Sequence, residues 1–146
     1  MSDRSDPESA AEGGTPAGSD RLAHLKGIID RLRSPGGCPW DLEQTPESLK
    51  PFLLEEAHEV AEAIDAGDPA ELRDELGDLL MNIFLQARIA EERETFSLDD
   101  IADRISEKLI RRHPHVFGDK TCGSTDELRQ QWLDIKSKEK SDRDEL

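Results

Sequence analysis

Glu75-Leu76-Gly77-Asp78-Leu79-Leu80-Met81-Asn82-Ile83-Phe84-Leu85 is the stretch that decides the fold of this 146-residue chain. Six of the seven residues from Leu79 to Leu85 are apolar, and on a helix they go right round it. A helix that is apolar on every side is a buried helix. Asp78 and Asn82, at i and i+4, run a polar stripe through it, and Glu75 continues the stripe one turn back. A buried carboxylate is costly unless it is paired or binds a metal. Arg73 and Arg88 lie off the stripe, so a bound cation is the economical explanation. Gly77 weakens the helix by about 1 kcal/mol relative to Ala. Close approach of another backbone or of a substrate would account for it.

Working back along the chain, the preceding helix carries a second acidic cluster, Glu55-Glu56-Ala57-His58-Glu59, with Glu62 just beyond. Leu53, Ala57, Val60, Ala61 and Ile64 are expected on its apolar face, with Glu55, Glu59 and Glu62 opposite and Glu56 at the border. Taken alone, these acids read as a solvated face. Beside the second helix they read differently, because each cluster holds a carboxylate pair at i, i+3 on one face. Two such helices packed together aim four carboxylates at one point. Hard divalent cations such as Mg²⁺ take oxygen ligands and commonly arrive with substrate phosphates. A di-iron site is the rival: Glu55 and His58 supply one Glu-x-x-His, but Asp78 stands where the second His is needed. His113-Pro114-His115 offers either transition-metal ligands or a helix-ending turn.

The spacing predicts an all-α chain of four to five helices and no strand. The first runs from about Asp20 to Arg33, and Ser34-Pro35-Gly36-Gly37 ends it. A loop through Cys38-Pro39-Trp40-Asp41 follows. Thr45 caps the second helix, Pro46 opens it and Gly67 ends it, with Pro51 expected to kink it or split off its first turn. Asp68 and Pro69 start the third, which runs to about Arg93. Ser97 caps a fourth that stops near His113-Pro114. A short last helix begins at Ser124 and is expected to fray at Lys136-Ser137-Lys138-Glu139-Lys140.

Residues 1–19 contain no Leu, Ile, Val, Phe or Trp and read as a disordered acidic tail. The folded domain is expected over 20–140, with 141–146 a frayed terminus. No basic segment precedes an apolar one near the start, so no secretory signal is expected. No apolar run is long enough for a membrane span. A soluble, cytoplasmic protein is the expectation, with Cys38 and Cys122 as reduced thiols or one disulfide. The net charge of −15 argues against binding nucleic-acid polymers. It permits a nucleotide substrate, because a bound cation reverses the field locally. With 34% hydrophobic residues against 36% charged, the apolar supply is thin for a monomer.

Glu56-x-x-Glu59 followed by Glu75-x-x-Asp78 resembles the MazG family of nucleoside triphosphate pyrophosphohydrolases, within the all-α NTP pyrophosphatases. The likeness extends to Cys38-Pro39-Trp40-Asp41, Glu43-Gln44-Thr45, Leu54-Glu55-Glu56, Glu75-Leu76-Gly77-Asp78-Leu79-Leu80 and the run from Glu107 to Phe117. It covers roughly residues 20–140 and is most like the amino-terminal of the two tandem domains that many members carry. The resemblance implies a helical bundle completed by dimerisation or higher assembly. It implies Mg²⁺-dependent hydrolysis between the α and β phosphates, with Mn²⁺ as a substitute, in the house-cleaning of nucleotide pools. It makes Glu56, Glu59, Glu75 and Asp78 metal ligands, puts Lys108 and Arg112 on the triphosphate, and puts Trp132 near the nucleotide. Adjacency to the ligand pair nominates Glu55 as general base or partner of the ligands. Asn82 is a candidate for orienting water or the sugar, and Trp40 for stacking on the base. The bland readings are a solvated Glu55, core tryptophans, and cations that favour a helix C-terminus. The contrasting function is a catalytically weak or inactive helical module that dimerises or regulates.

Overall fold

The structure, a computed structural model, describes residues 20–121 and 123–144. The expected tail over 1–19, Cys122 and the last two residues lie outside that range. The described residues form seven helices and no strand: α1 (Arg21–Leu32), α2 (Pro39–Glu43), α3 (Pro46–Ala66), α4 (Pro69–Glu92), α5 (Leu98–Arg112), α6 (Pro114–Phe117) and α7 (Thr125–Asp144). They divide into two compact units, Met1–Leu98 and Asp99–Leu146. None is long and apolar enough to cross a membrane.

Local chemistry sets the boundaries. Thr45 accepts from the Ser48 backbone N–H at 3.0 Å, and the Ser48 hydroxyl accepts from the Thr45 N–H at 2.9 Å. This reciprocal cap opens α3 with Pro46 at its first position. Gly67 closes α3 at φ 72°, a left-handed conformation that glycine adopts at no steric cost. One residue later the Asp68 carboxylate accepts from the Ala70 N–H at 3.0 Å and opens α4. So tight a turn leaves α3 and α4 an antiparallel pair. Gln86 donates to the Pro46 carbonyl and Asn82 to the Leu49 carbonyl, so higher numbers on α4 meet lower numbers on α3.

The core of the first unit is Ile29, Leu49, Phe84, Leu85 and Ile89, with Leu25, Leu80 and Leu98 against it. Each buried side chain of this size contributes about 1.5–3 kcal/mol. Several expectations are corrected here. Helix α3 runs unbroken through Pro51. Its packed side is rotated from the one expected: Leu49 and Ala63 are buried and Leu53, Glu56 and Val60 half-buried, whereas Ala57, Ala61 and Ile64 are exposed. Residues 49, 53, 56, 60 and 63 follow the helical repeat, so Glu56 belongs to the packed stripe rather than its border. Helix α4 is not buried all round, because Leu76, Met81 and Ile83 are exposed. Among the described residues, and apart from its own helical turn, no heavy atom lies within 4 Å of a Cβ built at Gly77, so no other segment crowds that position.

Cys38-Pro39-Trp40-Asp41 is not wholly loop but opens the one-turn helix α2, and Pro114 opens another, α6. Helix α7 does not fray at Lys136 but continues to Asp144. In the second unit α5 buries no residue, and Ile105, Leu109 and Ile110 are all exposed.

Candidate metal and nucleotide site

The four acids arrive by simple register. Glu56 and Glu59 are one turn apart on α3, Glu75 and Asp78 one turn apart on α4, and the antiparallel pairing brings the two turns face to face. Glu59, Glu75 and Asp78 each offer a carboxylate oxygen within 4.8 Å of the others. Glu59 and Glu75 are half-buried and Asp78 is exposed, so the group opens to solvent on one side.

Glu56 stands behind this trio. Its Oε2 is shut off from solvent with no hydrogen-bond partner, as is Oε2 of Glu75. Burial holds the Glu56 carboxyl above its ordinary range; repulsion from Asp78 and Glu59 adds to it, and a hydrogen bond from the Asn82 amide works against it. Glu75 is raised first by its hydrogen bond with Glu59, a contact that needs a proton on one of the two, and then by desolvation and by repulsion from Glu59 and Asp78. Among the described residues no Lys, Arg or His forms an ion pair with any of the four; His58, the one cation candidate on this stretch of α3, pairs with Glu62 at 3.4 Å. The three convergent carboxylates, with the orphaned Glu56 Oε2 behind them, are the residues that would hold a hard divalent cation, which takes oxygen ligands.

This arrangement has a measurable consequence in the metal-free protein. An acid with a raised folded pKa opposes folding as pH rises from about 4.5, the ordinary value for a glutamate, through the raised value. Glu75→Gln is therefore expected to raise the Tm of the metal-free protein at neutral pH. Mg²⁺ is expected to raise the wild-type Tm with concentration and to lose most of that effect in the variant. A thermal-shift titration in which Mg²⁺ moves neither protein removes the metal assignment.

The other candidates are placed as follows. Glu55 is exposed beside Glu56. Asn82 is 1% exposed, and its Nδ2 donates to the Leu49 carbonyl at 3.4 Å, so it touches the acids through Glu56. Trp40 is half exposed and sits edge-on to Phe52, ring centroids 6.1 Å apart. In the second unit Lys108 and Arg112 lie one turn apart on α5. The Arg112 guanidinium is 5.7 Å from the Trp132 ring centroid and the Lys136 ammonium 4.5 Å from it. His113 and His115 have ring centroids 5.5 Å apart; His113 Nδ1 meets the Leu109 carbonyl in the last turn of α5, and His115 Nδ1 meets Gln131 on α7.

Sequence reasoning passed over Arg33, the one charged residue that is buried among those described. It donates to both oxygens of Glu92, at 2.9 and 2.7 Å, and to the carbonyls of Asp41 and Gln44. It also passed over Glu139, whose carboxylate accepts from Arg111 and Arg112. In both cases the partner is far off in sequence and no local spacing marks it.

The chain is 50% identical over 116 residues to the nucleoside triphosphate pyrophosphohydrolase/pyrophosphatase MazG of Thermotoga maritima, covering 80% of this chain and 44% of that protein. It is 44% identical over 123 residues to the nucleoside triphosphate pyrophosphohydrolase of Escherichia coli, covering 84% of this chain and 47% of that protein. The chain thus spans less than half the length of these two relatives. In structure it is similar to a crystallised mazG-related protein from Thermotoga maritima, with a TM-score of 0.65 and 32% identity over 79% of this chain and 98% of the other. The MazG nucleotide pyrophosphohydrolase domain matches residues 44–117, which include every member of the acidic cluster. By that match, and by the α3–α4 pair that carries it, this chain belongs to the MazG nucleotide pyrophosphohydrolase domain family.

Proposed function

We propose that the chain hydrolyses nucleoside triphosphates between the α and β phosphates, releasing a nucleoside monophosphate and pyrophosphate. The observation that supports this most directly is the meeting of Glu59, Glu75 and Asp78 oxygens within 4.8 Å, backed by the orphaned Glu56 Oε2. Glu56, Glu59, Glu75 and Asp78 would hold Mg²⁺, or Mn²⁺ in its place. When bound, the cation supplies charge neutralisation for the phosphates and acidifies water.

This chain's own groups divide the remaining work. Glu55, exposed beside the ligands, accepts the proton of the attacking water on a carboxylate oxygen. Asn82 holds Glu56 in place and so sets one edge of the site. Lys108 and Arg112, four residues apart, match the charge of the triphosphate. Trp132, with Trp40 as a second candidate, gives a face for the base. A second copy of the chain would cover Ile105, Leu109 and Ile110, which are exposed here. The relatives' names give nucleoside triphosphate pyrophosphohydrolysis, and the role proposed for it here is house-cleaning of aberrant nucleotides in the cytoplasm.

The test is pyrophosphate release from a panel of canonical and damaged nucleoside triphosphates, with Mg²⁺ and with a chelator. Metal-dependent release from at least one is expected. Folded, Mg²⁺-supplied protein that releases none from any of them overturns the proposal and leaves a helical binding module.

A further inference from the structure

The second unit holds a cleft of about 810 Å³ between α5 and α7. Arg104, Lys108, Arg111, Arg112, Lys136 and Arg143 are among its walls, and its acids are Glu139 and Asp142. A cleft of this size and charge is a ready anion site. One anion already sits in it. Glu139 Oε1 accepts from Arg112 Nη2 at 2.9 Å and from Arg112 Nε at 3.3 Å, while Glu139 Oε2 accepts from Arg111 Nε. Two adjacent guanidiniums closing on one oxyanion is the geometry by which arginines also take phosphate.

We propose that Glu139 is a displaceable stand-in for a phosphate group, and that Arg111 joins Arg112 in binding that phosphate once Glu139 swings away. The inference rests on the reading above in which Arg112 meets the triphosphate; it adds Arg111 and Glu139, and Glu139 lies beyond residues 44–117. One observation favours a competitor over a fixed strut. Arg111 is 49% exposed while Glu139 and Arg112 are 17% and 18% exposed, so the Arg111 arm of the bridge is open to water and is the weaker one. A condensed phosphate carries more charge and more acceptor oxygens than a carboxylate, so it wins both guanidiniums when it arrives. Glu139 meanwhile keeps the two arginines from repelling each other in the empty cleft.

The experiment is calorimetric titration of the full chain with inorganic pyrophosphate in chelator, so that the acidic cluster and turnover play no part. Glu139→Gln is expected to bind pyrophosphate about fivefold tighter than wild type. Asp142→Asn makes the same charge change in the same cleft at a carboxylate outside the bridge that Glu139 makes with the two arginines, and is expected to change binding by less than about twofold. Glu139→Asp, which shortens the reach by one methylene, is expected between wild type and Glu139→Gln and serves if the glutamine variant does not fold. Equal or weaker binding by Glu139→Gln overturns the proposal and makes Glu139 a strut that positions Arg112. No pyrophosphate binding by any of the proteins also overturns it. Tighter binding by Glu139→Gln in a chain that releases pyrophosphate from no nucleotide would sustain this cleft and fail the proposed hydrolysis. The converse would fail the stand-in alone.

Discussion

Glu59→Gln and Asp78→Asn are each expected to lower Mg²⁺-dependent pyrophosphate release by at least about a hundredfold. Both substitutions keep the shape of the side chain and remove one negative charge from the group that meets within 4.8 Å. The folded chain should tolerate them well. Glu59 raises Glu75 first through a hydrogen bond and then through repulsion; an amide at 59 has the same shape and can still hydrogen-bond Glu75, and it removes the repulsion. Circular dichroism should therefore show unchanged helicity in proteins that have lost activity. Glu62→Gln is the matched control, since Glu62 is on the same helix, is exposed, and pairs with His58 outside the cluster. Coupled detection of released pyrophosphate reads all three. A near-wild-type rate for Glu59→Gln or Asp78→Asn would remove these acids from the chemistry.

The largest effect on stability is expected at Arg33. Its side chain is 7% exposed, and four hydrogen bonds tie it to Glu92, Asp41 and Gln44. Arg33→Met leaves Glu92 without its main partner and removes the guanidinium donor from the Gln44 and Asp41 carbonyls, of which Asp41 keeps the Gln44 N–H. Breaking a buried pair from one side costs about 3 kcal/mol or more. In a domain of this size that lowers Tm by roughly 10 °C or more. The pair also carries a pH signature. Arg33 first, and then Arg88, hold the Glu92 carboxyl down to about 2 from an ordinary 4.5. A lowered folded pKa contributes stability that is complete above about 4.5 and is lost as pH falls toward about 2. Urea midpoints of the wild type should drop through that window, and those of Arg33→Met should drop less. A Tm within about 2 °C of wild type would show that the network is not what holds α1, α2 and α4 together.

The legible parts of this chain are those written in neighbouring residues. Thr45-Pro46, Gly67 and Asp68-Pro69 act within a few residues of themselves, so the hairpin of α3 and α4 follows from reading them in order. The i, i+3 acids follow in the same way. The one-turn helices α2 and α6 escaped because four or five residues show no periodicity. The packed side of α3 was misplaced because alanines at 57 and 61 fit either side of a helix equally well. Only contact with α4 chooses Ala63 over them, and that contact is what draws Glu56 inward. Arg33–Glu92 and Glu139–Arg112 join residues 59 and 27 positions apart, a distance over which a sequence states no preference.

Helix α3 carries Pro51 in its interior, and the carbonyls of Pro46 and Leu49 just before it accept from Gln86 and Asn82. These two neutral amides act like the teeth of a key. If α4 slid along α3 by one turn, about 5.4 Å, both would miss their carbonyls. The same slide exceeds the 4.8 Å within which the three carboxylate oxygens converge. Repulsion among the acids pushes the helices toward such misalignment, and the amides oppose it, Gln86 from two turns beyond the acids and Asn82 from beside Glu56. The aim of the charged cluster is thus set by uncharged residues, which places tolerance to substitution where it would not be sought: an acid can be neutralised without moving the helices, whereas an amide cannot be lost without unsettling the acids.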